Sequence, residues 1–122
     1  MKESPEDSAN LVAFRISPEL MERAQAALRA VREDPSEEDE VNALLEVILE
    51  LTEHGMDFYY LEPLRRARAG TITTTAARVG LAAAGRGIPA IIRRVISSLD
   101  EGQLLSIADF VDEILIREGE AR

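Results

Sequence analysis

His54 is the only histidine in the chain, and Glu50, Glu53 and Asp57 lie within one helical turn of it. An imidazole beside carboxylates suits a general base or one metal ligand, but a metal site needs several converging ligands. A histidine in the last turn of a helix also opposes the negative end of the dipole, and Gly55 directly after it reads as a helix stop. The serines and threonines have no second histidine to activate them, and cysteine is absent, which excludes disulfides and thiolate chemistry. Gly80, Gly85 and Gly87 lack the spacing of a phosphate-binding loop. The acidic run Glu37–Glu40 lacks the alternating ligands and central glycine of a calcium loop. The expectation is therefore no catalytic residue, no metal, no cofactor and no enzyme activity.

Charge is the stronger signal. The net charge of −9 hides a division: residues 1–62 carry −11, residues 63–99 carry +7 and residues 100–122 carry −5. The middle segment owes its charge to Arg65, Arg66, Arg68, Arg78, Arg86, Arg93 and Arg94, with no acid among them. These arginines and Arg15 are candidates for binding an anion or nucleic acid, because Arg65–Arg68 precede Gly70 and a threonine-rich helix start, where free N–H groups favour phosphate. The same arginines suit pairing with the acidic segments, within the fold or across a dimer.

The elements that must position these groups are helices. Apolar residues make up 46% of the 122 positions and aromatics 4%, so the core is built from Leu, Ile, Val and Ala. Ser17 and Pro18 open a first helix with Leu20, Ala24, Leu28 and Val31 on one stripe. Asp34, Pro35 and Glu37 carry the signature of a capping box for a second helix to about Glu53, whose Val41, Leu44, Leu45, Ile48, Leu51 and Thr52 share a face widened by Val47 and Leu49. After Gly55 the segment 56–61 is aromatic, with Phe58, Tyr59 and Tyr60, and Pro63 restarts or kinks a helix ending near Gly70. Thr71–Thr75 offer caps for a helix to about Ala84, and Gly85, Arg86 and Gly87 break it. Pro89 opens a helix striped by Ile91, Ile92, Val95, Ile96 and Leu99. Asp100 and Gln103 form a capping box for a last helix burying Leu104, Ile107, Ala108, Val111, Ile114 and Leu115 and ending at Gly119.

Two segments resemble known families. The stretch LVAFRISPELMERAQAAL at the head of residues 11–55 resembles the opening of ribbon-helix-helix regulators. That resemblance implies a strand at Leu11–Ile16 pairing with its copy across a dimer. Leu11, Ala13 and Arg15 would face a DNA groove, and Val12, Phe14 and Ile16 the core. At the start of the second helix, where the family approaches a phosphate, this chain has Glu37, Glu38, Asp39 and Glu40, which repel one. The stretch TTTAARVGLAAAGRGIPAIIRRV is similar to a helix-turn-helix unit with a lengthened turn. Its Ala76, Gly80 and Ala84 also fit a close helix–helix contact.

The sequence thus predicts an all-α orthogonal bundle of five to six helices over residues 11–119, with a short N-terminal strand and a disordered acidic tail over residues 1–10. Its expected role is that of a non-enzymatic adaptor or regulatory protein acting through protein–protein contact as a homodimer, with DNA binding through Arg15 and the arginine-rich segment as the alternative. The partner surface is expected at Val12, Phe14, Ile16, Val47, Leu49, Phe58, Tyr59 and Tyr60. The polar start of the chain and the arginines interrupting its apolar stretches predict a cytoplasmic location without membrane contact.

Overall fold

The structure, a computed structural model, describes residues 13–117. The expected tail over residues 1–10 and the expected stop at Gly119 lie outside them.

Helix α1 (Pro18–Glu33) starts where the sequence places it: the Ser17 hydroxyl accepts the Leu20 N–H at 3.0 Å, and Pro18 occupies the first turn, where its missing donor costs nothing. Leu20, Ala24, Ala27, Leu28 and Val31 are its buried stripe. Helix α2 (Glu38–Met56) starts without the expected capping box. The Asp34 carboxylate instead accepts the Ser36 hydroxyl at 2.7 Å and closes the interhelical turn. Glu38, Asp39 and Glu40 fill the first turn of α2, where their charge opposes the positive end of the dipole. This gives the acidic run a structural role.

Gly55 does not stop α2. The helix widens into a π turn (Asp57–Leu61) and continues as α3 (Glu62–Arg66). Pro63 supplies a reason, since it has no N–H and its ring would strike the carbonyl four residues earlier. An extra residue in the turn relieves the clash, with the Glu62 N–H reaching the Asp57 carbonyl. The run ends at Arg68, which takes φ 57°, a left-handed value usually reserved for glycine, while the Ala69 N–H bonds the Leu64 carbonyl at 3.0 Å.

Helices α4 (Thr71–Gly85) and α5 (Ile88–Ser97) are joined by Arg86 and Gly87, both still right-handed helical. None of the threonines caps α4 by its side chain; the capping position is Gly70. Helix α6 (Glu101–Ile114) opens with the full Asp100–Gln103 capping box, at 2.8 and 3.0 Å. Because α2 runs through the π turn into α3, and α4 runs into α5, the described chain holds four helices rather than five to six. Gly55, Pro63, Gly85 and Gly87 lie within these runs without ending them.

No strand occurs among the described residues. Ala13–Ser17 lead into α1 without strand pairing, and Leu11 and Val12 lie outside the described residues. An isolated extended segment has no ladder to join within one chain. Phe14 and Ile16 still alternate inward, as the sequence suggests, with Ala13 and Arg15 exposed.

The core has two parts. Ala24, Ala27, Leu28 and Val31 of α1 meet Leu44 and Val47 of α2, with Ala108, Val111 and Leu115 at α6. Leu45 of α2, Ile96 of α5 and Leu104 of α6 form the second. Helix α4 contributes no buried residue to either. No helix among the described residues is long and apolar enough to cross a membrane.

Candidate functional site

The arginines divide into two groups. Arg65 donates to Asp57 at 2.6 Å and to Glu62 at 2.9 Å, Arg66 donates to Glu62 at 2.9 Å, and Arg93 donates to Glu46 at 3.1 Å. The hydrogen bonds from Arg66 and Arg65 hold Glu62 below the ordinary carboxylate range. Asp57, then Glu62, pushes Arg65 upward. In exposed positions such pairs fix orientation more than they stabilise. Arg15, Arg68, Arg78, Arg86 and Arg94 make no ion pair among the described residues. The expected single anion surface is therefore split, with three members neutralised by the α2–α3 run.

The expected partner surface is also redistributed. Val12 lies outside the described residues, and Ile16 packs on the α1–α2–α6 core. Phe14 joins Phe58 and Tyr59, its ring centroid 5.6 and 6.4 Å from theirs, so its apolar face is used within the chain. Tyr59 closes the group edge-on to Phe58 at 5.2 Å. Val47 is buried in the core and Leu49 packs on the second cluster, so neither is offered to a partner in this fold. Of the expected surface only Tyr59 and Tyr60 stand exposed. Beside the rings, an open cleft of about 370 Å³ is lined by Phe14, Arg15, His54, Asp57, Glu62 and Arg66. No group of three or more side chains able to hold a metal occurs among the described residues.

Periodicity hid a different surface. On α4, Thr74, Ala77, Leu81 and Gly85 are half-buried, and a Cβ at Gly85 would lie 3.8 Å from Met56 Cε. The opposite side holds Ile72, Ala76, Val79, Gly80 and Ala83, all exposed; Ile72 is 86% and Val79 62% accessible. Gly80 has nothing within 4 Å of where a Cβ would stand, and Ala76 and Ala84 are exposed, so this stripe packs no helix among the described residues. Ile91 and Val95 of α5, read as part of a buried stripe, are exposed as well. On α6, Ile114, expected to be buried, is exposed as well, as is Phe110 one turn back. The signal in the sequence was that α4 is apolar around most of its circumference, with Arg78 its only charge. Such a helix needs cover on more than one side.

The chain matches no protein-family model, no curated protein and no solved structure.

Proposed function

We propose that this chain is a non-enzymatic adaptor or regulatory protein that works by protein–protein contact, associating with itself and with a homodimer as its smallest assembly. The observation that carries the reading is α4, which buries none of its residues yet presents Ile72 and Val79 to solvent, continuous in sequence with the exposed Ile91 and Val95 of α5. Apolar residues left uncovered along two successive helices favour a partner over solvent. Arg78, Arg86 and Arg94 flank them without ion pairs, which adds selectivity for an acidic surface.

The test is a photo-reactive amino acid placed at Val79 in the native cell, with Glu22 on the exposed side of α1 as control. Position 79 should yield a discrete adduct of higher mass that position 22 does not. Absence of an adduct at 79, or identical adducts from both positions, refutes the assignment.

The second reading is a DNA-binding regulator that dimerises through residues 11–16, using Arg15 and the arginine-rich segment. It draws support from the five arginines without ion pairs and from the ribbon-helix-helix-like start of the chain. Its mark would be duplex binding that weakens with salt, at a log–log slope of about 0.9 per phosphate contacted. Arg15→Glu and Arg94→Glu should then each reduce a mobility shift. A wild-type chain that binds no duplex at low salt removes this reading.

A further inference from the structure

We propose that copies of this chain join head to tail, the basic apolar face of the α4–α5 run in one copy seating the acidic apolar face of α6 in the next. The inference rests on the protein-binding reading above and names the partner as a second copy. The first run exposes Ile72, Val79 and Val95 and carries Arg78, Arg86 and Arg94, also exposed, in a segment with no acid from residue 63 to residue 99. The second presents Phe110, 59% exposed, and Ile114, 50% exposed, one turn apart on α6. Glu113, in no ion pair, lies beside them, and Asp109 keeps 73% of its side chain accessible while bonded to Arg32. Each face combines exposed apolar side chains with charge, and the charges are opposite.

Within one chain the two faces leave each other unused. The carboxylates of α6 that are paired bond Arg32 and Arg117, not the arginines of α4 and α5. The acidic run Glu37–Glu40 is a poorer match, because it has charge but no exposed large apolar side chain and already faces the N-terminus of α2. A contact of α4 with α4 would set arginine against arginine with no acid between them. Because the two faces differ, the contact is heterologous and propagates into a ring or an open chain instead of stopping at a pair. Faces built on so few residues fall short of the roughly 1,200 Å² of a standard interface, so association should be weak and concentration-dependent.

Two variants test this by sedimentation, with circular dichroism to confirm folding: Arg78→Glu with Arg94→Glu, and Phe110→Asp with Ile114→Asp. The wild-type mass should rise with concentration past twice the 13.4 kDa of one chain, and association should weaken about tenfold between low and high salt. Each variant alone should remain monomeric where the wild type associates. Their equimolar mixture should form a 1:1 dimer and stop, because only one intact interface is left. Should the α6 double variant unfold, Glu113→Arg carries the same expectation without touching an apolar residue.

A wild type that is monomeric throughout, one that stops at a dimer, or a mixture that stays monomeric overturns the head-to-tail contact. A monomeric wild type that nevertheless crosslinks from Val79 to a different polypeptide overturns the second copy as partner and leaves the protein-binding reading standing. A monomeric chain whose only association is with duplex DNA, lost in the arginine variant, overturns both.

Discussion

Leu44→Ala is expected to lower the unfolding free energy by about 2–5 kcal/mol, the range for truncating a large aliphatic side chain in a packed core. Leu44 is 1% exposed and belongs to the cluster that joins α1, α2 and α6. Its neighbours Leu28, Val31 and Val111 come from the two other helices, and an alanine leaves a gap that three packed rods cannot close without tilting. Urea denaturation followed by circular dichroism should show a lower midpoint with little change in slope. A loss below about 1 kcal/mol would mean that the three helices are not packed as described.

The second large effect runs in the opposite direction of size. Ala24 and Ala108 are wholly buried, and Ala27 is nearly so, in the cluster shared by α1, α2 and α6, where small side chains leave no room to spare. Ala108→Leu should therefore cost about 1–3 kcal/mol or more by forcing the helices apart. It would also disturb the bonds from Arg32 to Asp109 at 2.7 Å and to Asp112 at 3.3 Å, made across the same two helices. Ala76→Leu is the matched control: Ala76 is exposed on α4, and the same enlargement should leave stability within about 0.5 kcal/mol. Equal effects at positions 76 and 108 in thermal melts would contradict the division between a packed core and an uncovered α4.

Much of the fold could be read from residues whose preference is local. Ser17 with Pro18, and Asp100 with Gln103, mark helix starts because their side chains satisfy backbone donors in place. The stripe Leu20–Ala24–Leu28–Val31 is buried throughout. Joints were harder to read. Gly55 and the Gly85–Gly87 segment weaken a helix by only about 1 kcal/mol per glycine, and the π turn accommodates Pro63, so the runs stay continuous. The Asp34 signal failed because its carboxylate found a nearer donor in Ser36.

The candidate surface was the least legible part. Periodicity reports which residues of a helix are apolar, not whether another helix stands opposite. Ile91 and Val95 carry the same stripe signature as Ile92 and Ile96, yet only the latter pair packs on α2 and α6. Phe14, expected to face inward at a dimer interface, packs instead on Phe58 and Tyr59 of its own chain.

The π turn at Asp57–Leu61 acts as an angular offset in the long helix. An extra residue in one turn retards everything after it by the roughly 100° that each residue normally advances. Glu62, Arg65 and Arg66 thus point where an uninterrupted helix would not aim them, and Arg65 falls back over Asp57. Deleting a single residue from this turn would remove the extra residue and its offset together, so Arg65 would keep its bearing on Asp57 while the Pro63 ring again met the carbonyl four residues earlier. The wide turn thus absorbs one residue of sequence without redirecting what lies downstream of it.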